Sequence, residues 1–141
     1  MTLDKELLNN LVNITSSAAI SSFPHVGKKN KELIDKAATD DMRKNLNKLD
    51  ISGEVVIGEG ELDEAPMLYI GEKLGTGKGP FIDIAVDPVE GTNCVANNLP
   101  GALSVLAVSN KGNLFHAPET YMNKIAVGND VPIDAVDLDF S

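Results

Sequence analysis

Carboxylates dominate the residues of this chain that can do chemistry. One group lies in Val56-Ile57-Gly58-Glu59-Gly60-Glu61-Leu62-Asp63-Glu64-Ala65-Pro66, where an apolar run passes into glycines and four acidic side chains. The glycines let the backbone turn sharply and approach a ligand closely. A second group lies in Asp83-Ile84-Ala85-Val86-Asp87-Pro88-Val89-Glu90-Gly91-Thr92. Here a strand is expected to deliver Asp87 at its carboxyl end, with Pro88 stopping the ladder and Glu90 and Thr92 just past the turn. Hard divalent cations take oxygen ligands of this kind and keep some of their water. Carboxylates from separate strand ends can converge on two ions roughly 3.5–4 Å apart, one activating a water and the other steadying a leaving oxygen. Thr92 is placed to accept from, or donate to, that water, and a helix starting near Gly91 would turn free N–H groups toward a phosphate. Acidic loops are more often plain solvated turns, which is the better reading of Glu61-Leu62-Asp63-Glu64 taken alone. Asp87-Pro88-Val89-Glu90-Gly91-Thr92 is different, because it combines a strand, a breaker, two carboxylates, a glycine and a hydroxyl within six positions.

The overall charge agrees with bound cations. Twelve basic against 21 acidic residues leave a net charge of -9. That argues against nucleic acid or an anionic membrane as a partner. A chain this acidic takes an anionic substrate only if its carboxylates are neutralised locally, as divalent cations would do. The single cysteine, Cys94, forms no internal disulfide, which fits a reducing cytoplasm. The opening residues have no continuous apolar core of a secretory signal, and no apolar run approaches a membrane span.

The elements that must position these side chains change period along the chain. Leu7, Leu8, Leu11, Val12 and Ile14, then Ala18, Ala19 and Ile20, predict a first helix, ended by Ser21, Ser22, Pro24 and Gly27. Leu33, Ile34, Ala37, Ala38, Met42 and Leu46 give the apolar face of a second helix from about Lys31 to Leu49. After Gly53 the pattern turns to strands: Glu54 to Ile57, Phe81 to Val86 and Ala102 to Val108, with weaker candidates at Lys124 to Val127 and Ile133 to Leu138. Asn110-Lys111-Gly112 suggests a hairpin pairing Gly112 to His116 with the preceding strand. The glycine-rich stretch from Gly71 to Gly79 lacks the ending of a nucleotide-binding loop and reads as a surface turn. Helices first and strands afterwards predict a layered α/β or α+β domain. His25 and His116 are read as loop and structural residues, and Cys94 as packing.

Asp87-Pro88-Val89-Glu90-Gly91-Thr92 resembles the signature of the lithium-sensitive, metal-dependent phosphatases, which include inositol monophosphatases and fructose-1,6-bisphosphatases. Gly58-Glu59-Gly60-Glu61-Leu62-Asp63-Glu64-Ala65-Pro66-Met67-Leu68-Tyr69-Ile70-Gly71-Glu72, with Ala117-Pro118-Glu119-Thr120-Tyr121-Met122-Asn123-Lys124 downstream, narrows the resemblance to the class II (GlpX-type) fructose-1,6-bisphosphatases, some of which also hydrolyse sedoheptulose-1,7-bisphosphate. The resemblance implies a layered α-β sandwich of the sugar-phosphatase type, with a mixed sheet and two N-terminal helices. Residues 1–141 then form the N-terminal, metal-binding part of that domain, cut short in mid-fold. It implies magnesium or manganese as cofactor, held by Asp35, Glu59, Asp87 and Glu90. Catalysis falls to Thr92 with Glu59 and Asp35, and substrate binding to Glu90, Gly91, Thr92, Tyr121 and Lys31. The implied reaction removes the 1-phosphate of a sugar bisphosphate by direct attack of water, in the cytoplasm, in gluconeogenesis or the Calvin cycle.

Two departures stand out. The family's Gly-Arg-Gly-Asp-Lys run is here Gly27-Lys28-Lys29-Asn30-Lys31, and the arginine many members carry after Gly-Thr is replaced by Asn93-Cys94. A sheet cut in the middle would expose an edge and apolar surface, so self-association or pairing with a missing C-terminal half is expected. An inositol-phosphatase-like enzyme and a non-catalytic metal-binding or interaction module are the alternative readings.

Overall fold

The computed structural model describes residues 5–59, 67–116, 125–132 and 135. The first helix, α1, spans Lys5–Ser22, followed by a 3-10 turn at Phe23–His25; α2 spans Lys31–Leu46. Strands β1 (Ser52–Ile57), β2 (Lys73–Leu74), β3 (Phe81–Glu90) and β4 (Leu103–Asn110) form one mixed sheet, and a short helix, α3 (Thr92–Ala96), lies between β3 and β4. The strand order is β2-β1-β3-β4, with β1 and β3 parallel and the two outer pairings antiparallel. Two helices on a mixed sheet is the α/β arrangement the sequence predicts.

Both helices cover one face of the sheet. From α1 come Leu11, Ile14 and Ala18, and from α2 come Ile34, Ala38, Met42 and Leu46; all are buried in one cluster with Val55, Ile82, Ile84 and Val86. The strand residues in this cluster alternate, as they must when one face of a pleated sheet meets the helices. Asn30 begins α2: its side-chain oxygen accepts from the Leu33 amide at 3.1 Å. Asparagine is as good a cap as aspartate, so the Asp-to-Asn departure at this position keeps the helix start intact.

Several local expectations change. The ladder does not stop at Pro88: β3 runs on to Glu90, and its pairing with β4 shifts register between Asp87 and Glu90. Proline is tolerated in a strand where a bulge relieves it of a ladder bond. The hairpin expected for Gly112 to His116 does not form. The buried carboxylate of Asp83 takes up that turn instead: its Oδ2 accepts from the amides of Gly112, Asn113 and Leu114 at 2.6, 3.1 and 3.2 Å. Backbone donors claimed by a carboxylate are no longer available to a strand partner. The stretch read as a surface turn contains β2, whose Leu74 is buried opposite Gly53. Two residues are too few to show a period. Residues 125–127 form no strand, and the segment from Ile133 to Leu138 lies largely outside the described residues.

The loop leading into α2 carries strain. Lys29 adopts φ 57, in the left-handed region, while its amide donates to Ala96 O at 3.0 Å. The resembling family run has its second glycine at this position. A side chain there costs about 1 kcal/mol relative to glycine. Lys29→Gly is therefore expected to raise unfolding stability by up to about 1 kcal/mol, reduced by glycine's greater freedom in the unfolded chain. Urea denaturation at fixed pH measures it, and a loss of stability would refute the strain.

Candidate functional site

Parallel pairing of β1 and β3 brings their carboxyl ends to the same edge of the sheet. Ile57 is paired with Ala85, so Glu59 and Asp87 lie two residues further along adjacent strands. In open α/β sheets this edge is where ligands bind. Asp87 stands in hydrogen-bond contact with both Glu90 and Glu59, and its Oδ1 accepts the Val89 amide at 3.0 Å. Burial and then the nearby Glu90 push the Asp87 carboxyl from its ordinary value of 3.8 up to about 6, against the opposing Val89 amide and Glu59. Carboxyl groups forced together out of bulk water share protons until a cation replaces them.

Thr92 and Asp35 form the second part of the site. The Thr92 hydroxyl donates to Asp35 Oδ1 at 2.8 Å and lies 3.1 Å from Val89 O. This bond joins α2 to the start of α3. Burial pushes the Asp35 carboxyl up, while the Thr92 hydroxyl and the charge of Lys31, one turn earlier on α2, hold it down. Gly91, with φ 84, turns the chain from Glu90 into Thr92. An added Cβ would find room there, the nearest atom being Ala102 Cα at 3.5 Å, so the backbone angle and not crowding asks for glycine.

The approach to Glu59 is set by a close contact. A Cβ on Gly58 would stand 2.3 Å from Leu68 O, and the Glu59 amide donates to that same carbonyl at 3.0 Å. The backbone at Leu68 therefore fixes where Glu59 leaves β1. Arg43 in turn anchors that returning segment from α2. Its Nε donates to Glu72 Oε1 at 2.6 Å, and its Nη2 donates to Met67 O at 2.6 Å and to Glu72 Oε2 at 3.2 Å. Glu72 is buried, and the two-pronged geometry is the strong form of this pair. Arg43 thus positions the site without entering it. Nothing in the sequence singled it out, because α2 carries Lys31, Lys36, Arg43 and Lys44 alike and the partner Glu72 lies 29 residues away.

The residues expected from sequence fall into two groups. Asp87, Glu90 and Glu59 come together at the strand ends, and Asp35 pairs with Thr92, with Lys31 beside it. Tyr121, Glu61, Asp63 and Glu64 lie outside the described residues. Among the described residues no three acidic, histidine or cysteine side chains close around one point as a finished metal site. The donor set itself is all oxygen, crowded and partly desolvated, which suits magnesium or manganese in chemistry.

These features define an α/β protein with a cluster of carboxylates at the ends of parallel strands. The chain belongs to the family described as bacterial fructose-1,6-bisphosphatase, glpX-encoded, which matches residues 5–141. It is 50% identical over 124 residues to a D-fructose 1,6-bisphosphatase class 2/sedoheptulose 1,7-bisphosphatase of Prochlorococcus marinus (strain MIT 9303), covering 88% of this chain and 37% of that protein. A protein of the same description from Synechococcus sp. (strain CC9605) is 52% identical over 124 residues, with the same coverage of 88% and 37%. The chain thus spans just over a third of the length of these relatives, 37%. Among solved structures, an extragenic suppressor from Pyrococcus furiosus is similar in fold, with a TM-score of 0.53 at 19% identity over 76% of this chain and 41% of that one.

The crowding at Asp87 has a consequence for stability. Because its folded pKa is raised, Asp87 favours the fold fully below pH 3.8, and that contribution is lost as pH rises through about 6. At neutral pH the ionised group opposes folding. Asp87→Asn, compared with the parent chain in chelator, should therefore gain stability relative to it between pH 4 and pH 7. An unchanged difference across that range in urea titrations would show that the carboxylates do not repel one another.

Proposed function

We propose that this chain supplies the metal-binding part of a phosphatase that removes the 1-phosphate from fructose-1,6-bisphosphate and acts on sedoheptulose-1,7-bisphosphate as well. The observation that carries the reading is the meeting of Glu59, Asp87 and Glu90 at the ends of two parallel strands, beside the Thr92–Asp35 pair. The substrates are proposed from the family and from what its relatives are named for. Asp87, Glu90 and Glu59 would hold magnesium or manganese, with Asp35 close by. A bound divalent cation supplies positive charge for the substrate phosphate and acidifies water at neutral pH.

The chain's own groups do the rest. With its proton committed to Asp35, Thr92 presents oxygen lone pairs to the attacking water. A water held by that acceptor is aimed at phosphorus and spared the cost of random approach. Asp35 holds the hydroxyl in that sense, and as a partly buried carboxylate it accepts more strongly than a neutral group would. Lys31, at the exposed start of α2, works against the desolvation of Asp35 and adds a positive charge beside the site for an anionic sugar phosphate. The setting is the cytoplasm, in keeping with one cysteine; among the described residues no helix is long and apolar enough to cross a membrane.

A second reading is that the chain binds the cation without turnover; the arginine that many members of the resembling family carry after Gly-Thr is here Asn93-Cys94. The experiment is phosphate release from fructose-1,6-bisphosphate with manganese or magnesium, run beside calorimetric titration of the metal and the Asp87→Asn variant. Metal-dependent release that disappears in the variant supports the phosphatase reading. Metal binding without release, lost in the variant, supports the second. Unchanged metal affinity in Asp87→Asn removes the site from both. Where turnover is present, Thr92→Ala should lower it about 100-fold or more with metal affinity kept, since its role is to place water.

A further inference from the structure

Asp35, Thr39 and Arg43 follow one another four residues apart on α2. Residues at that spacing share one side of a helix. The side facing α1 is marked elsewhere, by Ala37 O, which accepts from Ser21 at 3.0 Å, and by Asn45, which reaches Ser17 at 3.4 Å. The side of Asp35 looks toward α3 and the crossover after β1. Asp35 accepts the Thr92 hydroxyl at 2.8 Å, and Arg43 donates to Met67 O at 2.6 Å and to Glu72. Each holds a segment next to a strand-end carboxylate: Thr92 follows Glu90 closely, and Leu68, beside Met67, sets the course of Glu59. Thr39 stands between these two anchors.

Thr39 is 1% exposed, and its hydroxyl has no hydrogen-bond partner among the described residues. A hydroxyl inside a helix commonly donates to the carbonyl one turn earlier. Those of α1 do so: Thr15 and Ser16 to Val12 O at 3.0 and 2.8 Å, Ser21 to Ala18 O at 2.8 Å and Ser22 to Ala19 O at 2.9 Å. Thr39, more deeply buried than any of these, makes no such bond to the carbonyl of Asp35. Valine has the same shape and no polar atom to desolvate, so packing gives no reason for the hydroxyl. A buried polar group without a protein partner asks for a water or a functional task.

We infer that Thr39 is a positioning residue of the carboxylate site, its hydroxyl holding the second oxygen of Asp35 through one ordered water. The inference rests on the reading of that site as one for a divalent cation. Helix side chains lean toward the N-terminus, so Thr39 leans over the turn that carries Asp35. Cβ atoms at this spacing are about 5–6 Å apart, and two hydrogen bonds through one water span roughly 5.5 Å. Thr39 donates to the water, and the water donates to Asp35 Oδ2. Thr92 takes Oδ1, and a carboxylate has two lone pairs on each oxygen, so acceptor sites remain for a cation. Half-buried Asp35 gives the water a way in, and buried Thr39 gives it a fixed end. With both oxygens held, the Asp35 carboxyl keeps one orientation, and so does the Thr92 hydroxyl bonded to it. Supporting groups of this kind are worth about 10–100-fold in metal affinity.

Thr39→Val removes the hydroxyl and keeps the shape, whereas Thr39→Ser keeps the hydroxyl. In chelator, the side-chain carboxyl carbon of Asp35 is followed by nuclear magnetic resonance of the intact chain, assigned by its loss in Asp35→Asn. Its resonance should move in Thr39→Val and stay near the parent position in Thr39→Ser, while the urea midpoint of Thr39→Val is unchanged or higher. In calorimetric titration with manganese, Thr39→Val should bind about 10-fold more weakly, and Thr39→Ser close to the parent. A carboxyl resonance that Thr39→Val leaves in place overturns the inference, as does a manganese affinity equal to the parent's. So does a loss that Thr39→Ser shares, which marks a packing role. A parent chain that binds no manganese removes the cation reading of the site, and the carboxyl resonance alone then decides whether Thr39 holds Asp35.

Discussion

The parallel pairing of β1 and β3 is the constraint on which the rest depends. Two neighbouring strands that run the same way end at the same place, so Glu59, just past β1, arrives beside Asp87 and Glu90 of β3. Antiparallel pairing would have sent one carboxylate to each end of the sheet. Parallel strands cannot be joined by a tight turn. The crossover between them, residues 58–80, therefore leaves β1, returns along its free edge as β2, and only then reaches β3. Glu59 and Asp87 owe their shared edge to this parallel pairing.

A connection of that length has to be held down. The Gly58–Leu68 approach fixes its beginning, and the Arg43–Glu72 pair fixes its return to the sheet. Asp83 does the same on the other side, gathering three amides of the turn after β4. His116 Nδ1 lies 3.2 Å from Val56 O, so the chain after that turn comes back over β1. Buried or half-buried ionic groups hold the backbone around a site that is itself electrostatically unfavourable. Asp87 illustrates the tension: burial and the neighbouring Glu90 raise its pKa, so negative charge is poorly tolerated at these strand ends.

The site belongs to the strand ends and the join between α2 and α3, where polar groups converge. Family membership accounts for the site motif residues.

Much was legible in the sequence. The helical period of Leu11, Ile14 and Ala18, and of Ile34, Ala38 and Met42, determined two amphipathic helices, because a 3.6-residue repeat of apolar side chains buries itself in only one way. The β-branched run at Phe81 to Val86 determined the central strand, and Asp-Pro-x-Glu-Gly-Thr marked where its chemistry would sit. Other features needed the tertiary structure. Pro88 reads as a breaker until a bulge against β4 absorbs its missing donor. The 112–116 segment reads as a strand until the Asp83 carboxylate claims its amides. β2 is too short to have a period, and Arg43 reads as an ordinary helix residue until Glu72 stands opposite it. Periodicity and motif residues are local properties, written over a few turns of chain. Strand direction, register and the partner of a buried charge join residues far apart in sequence, and only packing decides them.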